Sequence, residues 1–272
     1  MARPGVGATR VSESVAFEVN GSSPDMLADA PRLALTPAEF AVDAAAAAQV
    51  NEWLASVDAE TRVRWSLANL PGPFALSSSF GAQAAVSLHL VASQQARIPV
   101  VLIDTGYLFP ETYQFIDQLT KKLTLNIQRF SSPQPVAEFE AQYGKLWEQG
   151  RDGLNQYLEL RKVEPMRRSL KSLGIKTWFA GLRRSQAESR AKLNPLEVRD
   201  GRFKVHPIFD WSDRDVYLYL KAHGLPYHPL WDKGYVSIGD WHSTKALHEV
   251  ESAEELRFSG LKRECGIHGL EG

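Results

Sequence analysis

The apolar positions divide the chain into an unpatterned start, a helical stretch, and then an alternation of short apolar runs with amphipathic segments. Residues 1–35 are rich in Gly, Ala, Ser and Pro and show no periodic apolar face, which predicts a loosely ordered tail. Thr36-Pro37-Ala38-Glu39 has the form of a helix start: a hydroxyl cap, a proline at the first helical position, and a carboxylate able to reach back to the cap. The Ala-rich stretch to Trp53 and Leu54 is predicted helical on propensity. A second helix is expected from Asp58 to the break at Pro71-Gly72-Pro73.

Beyond that break the rhythm changes. Phe74-Ala75-Leu76 reads as a short strand running into Ser77-Ser78-Ser79-Phe80-Gly81, with a helix over 82–91. The run 98–103 is continuously apolar, as in a parallel strand covered on both faces, and ends at Asp104-Thr105-Gly106. Pro110-Glu111 opens a helix with Tyr113, Ile116, Leu119 and Leu123 on one side. Strands are expected at 125–130, 177–180 and 204–209, and helices at 136–148 and 154–173, the latter interrupted at Pro165 and closed by Gly174. Ser212 and Asp215 form a capping box for a helix to about residue 223.

This alternation predicts an α/β fold with a doubly wound, mostly parallel sheet, whose ligands sit at the carboxyl ends of the strands. After Leu225 the chain turns irregular and aromatic, with Tyr227, His228, Trp231, Tyr235 and Trp241, and reads as an extension or lid. The expected organisation is a tail over 1–35, a nucleotide-binding α/β domain over 36–230, and a C-terminal arm over 231–272.

Composition narrows the function class. The 272 residues carry 31 basic and 32 acidic side chains, a balance that gives no support for general nucleic-acid or membrane-surface binding. Any anion site must be local. A single cysteine excludes a disulfide scaffold and fits a reducing compartment. No apolar run is long enough to span a bilayer, and the basic N-terminus lacks an apolar region after it, so the expected location is cytoplasmic. The histidines show no zinc spacing, so no metal site is expected.

The candidate chemistry lies at strand ends. The stretch SSSFGAQ at 77–83 joins a strand to a helix, where small residues let backbone N–H groups approach an anion; it lacks the Lys-Ser/Thr of a Walker A loop and also fits an ordinary turn. Asp104 follows the next strand, beside that loop, and equally fits a local turn cap. Arg161-Lys162 and Arg183-Arg184 are basic pairs suited to phosphate or sulfate, the second at a strand end facing the crevice; such pairs are also common on solvated surfaces. The lone thiol, Cys265, sits among glycines with Lys262, Arg263 and His268 nearby, a setting that favours thiolate, while Glu264 opposes it. It reads either as a nucleophile on a flexible arm or as an incidental free cysteine.

Taken together and in order, SSSFGAQ at 77–83, DTGYLFPETY at 104–113, RKVEPMRR at 161–168, GLRRSQAESRA at 181–191, SIGDWHST at 237–244 and KRECGIH at 262–268 resemble the phosphoadenylyl-sulfate (PAPS) reductase family, of the adenine-nucleotide α-hydrolase fold. The resemblance spans roughly residues 70–272. One branch of that family reduces adenylyl sulfate (APS) with an iron–sulfur cluster on four cysteines, whose positions fall here on Tyr157, Leu158, Asp240 and Ser243. The chain therefore resembles the cluster-free, thioredoxin-dependent branch.

That resemblance implies reduction of PAPS to sulfite and adenosine 3′,5′-bisphosphate, with Cys265 as the nucleophile that forms an S-sulfocysteine. It implies thioredoxin or glutaredoxin as electron donor, no bound cofactor and a homodimer. By aligned position Ser77, Ser78, Ser79 and Gly81 form the loop near the nucleotide, Lys162 and Arg183 hold the phosphosulfate, and His268 lies near it when the arm closes. Arg257 aligns with a substrate arginine if one gap is allowed. With no second cysteine in the chain, the reducing thiol must come from outside or from another subunit. Alternatives are a cluster-free APS reductase, an ATP pyrophosphatase-type adenylyltransferase, and a catalytically silent nucleotide-binding module.

Overall fold

The structure, a computed structural model, describes residues 30–262 and 264–268. The expected tail therefore lies outside the described residues up to residue 29, as does Arg263. Residues 30–35 are not loose: Ala30, Leu33 and Leu35 pack against the core, and the Trp65 indole donates to the Pro31 carbonyl at 2.8 Å.

Thr36 caps α1 (Pro37–Val42) through a reciprocal box with Glu39. The Ala-rich helix is two helices, because Asp43 ends α1 and caps α2 (Ala44–Ser56) by accepting from the Ala46 N–H. Asp58 caps α3 (Ala59–Asn69) in the same way. Side-chain acceptors thus set each start by satisfying a donor that the first turn leaves free.

A six-stranded sheet follows, built from β1 (Phe74–Ser77), β2 (Pro99–Ile103), β3 (Asn126–Phe130), β4 (Thr177–Ala180), β5 (Leu196–Arg199) and β6 (Arg202–Val205). Its spatial order is β3-β2-β1-β4-β6-β5, parallel throughout except for the β5–β6 pair. The crossovers contain α4 (Ala85–Ala92), α5 (Pro110–Leu123), α6 (Val136–Tyr143), α7 (Gly150–Leu158) and α8 (Glu164–Ser172); α9 (Asp213–Ala222) follows β6.

Both faces of the sheet are covered. Leu76, Val100, Leu102, Phe179, Phe203 and Val205 point into the main core, which they share with α2–α5 and α9. Ala75, Val101 and Trp178, one residue out of phase along the same strands, pack with Met166 and Leu170 of α8. Such two-sided burial explains the uninterrupted apolar run of β2 and the full burial of β4.

Further details differ from the sequence reading. The helix expected over 136–148 ends at Tyr143, where Gly144 takes φ 68°. The last strand ends at Val205 instead of 209, and its partner β5 was not anticipated. The two form a hairpin across Asp200-Gly201, both with positive φ (49° and 70°), the conformation that a tight two-residue turn demands. Pro165 does not break its helix. It lacks the N–H that would bond the carbonyl four residues back, and the chain widens into a π-helical turn, Glu159–Val163, before continuing as α8. Finally, α4 begins at Ala85, leaving residues 82–84 in the turn below it.

Candidate active site

The loops at the carboxyl ends of β1, β2 and β4 surround one cavity of about 510 Å³. That is within the range of small-molecule sites, roughly 300–1,000 Å³. Ser77, Ser78, Ser79 and Gly81 line it, as do Lys162, Arg183, Arg257, Cys265 and His268. Residues from five separated stretches of sequence thus meet there.

The serine loop is a strained turn. Phe80 has φ 51°, an unusual conformation for a bulky residue, and is held there by full burial of its ring and by its N–H donating to Ser78 Oγ at 3.1 Å. Gly81 passes close to the Ile238 carbonyl, which a Cβ would approach to 3.3 Å. Gly181 lets the end of β4 lie against α4, where a Cβ would collide with Ser87.

The π-helical turn rotates Arg161 and Lys162 into different surroundings. Arg161 donates to the Gln134 carbonyl at 2.7 Å and lies over the Phe139 ring, away from the cavity. Lys162 reaches the cavity wall and pairs with Asp240 at 2.7 Å. Asp240 is fully buried and also accepts from Thr105 at 2.6 Å and from the Tyr157 hydroxyl at 2.8 Å. Burial alone would raise its carboxyl pKa, but the Lys162 ammonium and these donors outweigh that and lower it. Burial, and then the Asp240 charge, push the Tyr157 phenol well above its ordinary value.

Arg183 is held by Gln83 (2.6 Å), Asp213 (2.7 Å), Ser185 (3.0 Å) and the Trp211 carbonyl (3.1 Å), so its guanidinium is fixed before any ligand arrives. Its sequence neighbour Arg184 is not brought to the cavity. It donates to the Leu193 carbonyl and covers the Phe209 ring. Asp104 is likewise absent from the lining. It caps the local turn by accepting from the Gly106 N–H and holds the Tyr113 hydroxyl, with Arg129 at 3.5 Å. In both cases the adjacent residue (Arg183, Thr105) faces the cavity instead, as strand and turn geometry alternates side chains.

The arm bearing Cys265 is docked. Glu264 is only 2% exposed and accepts from Arg190 Nε (2.7 Å) and Nη2 (2.8 Å) and from Ser189 (3.0 Å). Its charge is thus paired with Arg190. Ile267 packs on the Met166–Trp178 cluster, and His268 stacks on Trp178. Burial holds the His268 imidazole well below its ordinary pKa, and nearby Lys204 adds to this, so it is neutral. Lys204 itself is lowered to about 7, chiefly by burial. Cys265 is partly exposed and packs against the cluster that contains Tyr157, Leu158 and Phe258. Burial lowers the Arg257 guanidinium from its ordinary value, and a negative charge on Cys265 would oppose that.

Several cavity residues were not singled out from sequence: Thr105, Asp240, Gln83, Gln186 and Arg190. Asp240 entered the sequence reading only as a position that falls on a cluster cysteine of the other branch, and nothing local marked it as the buried partner of a lysine. Among the described residues no group of three His, Cys, Asp or Glu is placed to hold a metal ion. The four positions that would carry an iron–sulfur cluster do converge, but as an oxygen-rich hydrogen-bonded core. Tyr157 bonds Asp240, Ser243 donates to the Asp240 carbonyl at 3.3 Å, and Leu158 is buried in the apolar cluster that holds Tyr157. These side chains do not suit iron, which such sites bind through thiolates.

A doubly wound sheet with a serine loop, a buried lysine and an arm-borne thiol around one crevice defines an α/β protein of the adenine-nucleotide α-hydrolase type. The solved structures it resembles agree. A PAPS reductase from Candida auris, in a phosphate complex, superposes with TM-score 0.65 at 29% identity, over 79% of this chain and 100% of that one. FMN adenylyltransferase from Candida glabrata, at 16% identity and TM-score 0.51 over 69% of this chain and 64% of that one, shares the fold alone.

The sequence model of the phosphoadenosine phosphosulfate reductase domain matches residues 73–246. Relatives named phosphoadenosine 5′-phosphosulfate reductase include one from Yersinia enterocolitica, 61% identical over 84% of this chain and 93% of that protein. Another, from Cronobacter sakazakii, is 57% identical over 86% and 96%. The chain belongs to the phosphoadenosine phosphosulfate reductase family.

Proposed function

We propose that this chain reduces PAPS to sulfite and adenosine 3′,5′-bisphosphate through an S-sulfocysteine on Cys265. The observation that carries this reading is the thiol's position. Cys265 lines the same cavity as Ser77–Ser79, Lys162, Arg183 and Arg257, so a nucleophile and the cations for an activated sulfate share one volume.

In the first step the Cys265 thiolate attacks the terminal sulfur of PAPS. A sulfur–sulfur bond forms, the bond from that sulfur to the phosphate oxygen breaks, and the bisphosphate leaves with the electron pair. Negative charge grows on the leaving oxygen, where Lys162 and Arg257 lower its energy most in a site closed to water. Neutral His268 can donate one ring N–H to a sulfonate oxygen without adding charge. In the second step an outside dithiol, thioredoxin or glutaredoxin, attacks the Cys265 sulfur. Sulfite departs carrying two electrons from the dithiol, and the second thiol of the donor resolves the mixed disulfide and restores Cys265. The arm must swing out for this step, in line with its attachment through side chains and short 3₁₀ turns instead of a strand. The family's homodimer and a cytoplasmic setting, where dithiol donors are kept reduced, complete the proposal; no helix among the described residues is long and apolar enough to cross a membrane.

The test is Cys265→Ser with mass spectrometry of the intact protein. Wild type mixed with PAPS and no dithiol should gain one sulfonate on Cys265, and the variant should gain none while still binding adenosine 3′,5′-bisphosphate. Sulfite production by the variant would overturn the assignment. The same assay run with APS separates the two substrates, and an adenylyltransferase or silent module would leave the thiol unmodified.

A further inference from the structure

We propose that Asp240 is a positioning residue. It fixes the Lys162 ammonium at the cavity wall, and with Tyr157 and Thr105 it forms a rigid hub that the transfer step depends on. The inference rests on the proposed reading in which Lys162 contacts the phosphosulfate.

The geometry is specific. Both carboxylate oxygens of Asp240 are committed: Oδ1 accepts from Thr105 Oγ1 at 2.6 Å, and Oδ2 accepts from Tyr157 at 2.8 Å and pairs with Lys162 at 2.7 Å. The Asp240 side chain is 0% exposed and that of Lys162 is 8%. The main chain is pinned as well, because the Asp240 carbonyl accepts from Thr244 Oγ1 at 2.9 Å, which in turn accepts from the Gly239 N–H at 3.1 Å. Behind the hub lies an aromatic wall. Tyr157 packs against Tyr107, Trp147 and His242, and His242 stacks on Trp147 with ring centroids 3.9 Å apart.

Stability does not explain the arrangement. A buried ion pair is at best about neutral against well-packed apolar residues of the same volume. Nor does affinity: a carboxylate beside an anion site weakens the pull of the cation it touches. What the pair supplies is position. Among the described residues the Lys162 ammonium has Asp240 as its only hydrogen-bond partner, so two of its three N–H groups stay available to a ligand in the cavity. A flexible four-carbon side chain would otherwise sample many rotamers, and pinning it makes the ammonium ready where charge develops.

The expected signature is therefore a kcat effect with ground-state binding retained. Asp240→Asn should lower kcat with PAPS by about 10- to 100-fold, since sub-ångström to ångström misplacement of a reacting group has effects of that size. Its Kd for adenosine 3′,5′-bisphosphate should stay within about threefold of wild type. Lys162→Gln should be at least as slow, and Asp240→Asn/Lys162→Gln should be no slower than Lys162→Gln alone, because the carboxylate acts only through the ammonium. Tyr157→Phe, which keeps the ring and removes one donor to Oδ2, should lower kcat about two- to fivefold. Thr105→Val should do the same through Oδ1.

If Lys162→Gln turns over like wild type, the reading of Lys162 fails. If Lys162→Gln is slow but Asp240→Asn is at wild-type kcat, the positioning role fails while that reading survives. Multiplying losses in the double variant would show Asp240 acting independently and would also overturn the proposal. Should Asp240→Asn not fold, Tyr157→Phe and Thr105→Val decide, and wild-type kcat in both refutes it.

Discussion

The docked arm makes one quantitative claim: Glu264, next to the nucleophile, holds Cys265 inside the cavity through Arg190. The perturbation is Glu264→Gln, which keeps the shape and removes the charge. Glu264 is 2% exposed and Arg190 16%, and two guanidinium N–H groups reach the carboxylate at 2.7 and 2.8 Å. A hydrogen bond to a charged group is worth about 1.5–3 kcal/mol and a neutral one about 0.5–1.5, so two bonds weakened together lose about 2 kcal/mol. Arg190 keeps its bond to Gln186 and some contact with water, which limits the further penalty to about 1 kcal/mol. The docked arm should lose about 2–3 kcal/mol, or about 30- to 150-fold in its population relative to the released arm.

Two rates read this. Alkylation of Cys265 by iodoacetamide, compared at the high-pH plateau so that access is measured apart from thiolate fraction, should rise by about tenfold or more. Single-turnover sulfonation by PAPS should fall by a similar factor, with adenosine 3′,5′-bisphosphate affinity within about threefold. If both rates match wild type, the Glu264–Arg190 contact does not hold the arm and the reasoning is wrong.

Two further outcomes are expected. Gly239→Ala places a Cβ against the Arg257 guanidinium, which must move, so kcat/KM should fall about tenfold or more while overpacking costs about 1–3 kcal/mol of stability; unchanged kinetics would show that Arg257 is not needed where it sits. His206 is buried with Nδ1–H on the Asn194 carbonyl, and burial, then Lys204, lower its pKa to about 3. The unfolded chain then binds a proton that the folded chain refuses, so stability is full above about pH 6.5 and declines as pH falls toward about 3. His228 and His242, each lowered to about 4 by burial, act in the same direction. Urea unfolding should show His206→Gln sparing about 2 kcal/mol of the loss between about pH 7 and about pH 5, and an identical pH slope in both proteins would refute it.

Local chemistry made the scaffold legible from sequence. Thr36, Asp58 and Ser212 cap helices because a side-chain acceptor a few residues from a free N–H acts without help from the rest of the chain. The apolar run of β2 announced a strand buried on two faces, and the loop after β1 lies where a strand-to-helix turn puts it. The β5–β6 hairpin was not anticipated, although Asp200-Gly201 is a pair of residues that a tight two-residue turn favours.

The tertiary structure decided what meets in the crevice. Thr105 and Asp240 are 135 residues apart, and Arg190 and Glu264 are 74 apart. Neither pair carries a periodic or spacing signal, because the sheet's crossovers and the return of the C-terminal segment over the strand ends bring them together. Which member of each adjacent polar pair would face the cavity was settled in the same way, Arg183 and Thr105 inward, Arg184 and Asp104 outward. A residue's type states which interactions it can make, while its partner depends on where the backbone takes both chains of atoms, and burial then sets how strong the contact becomes.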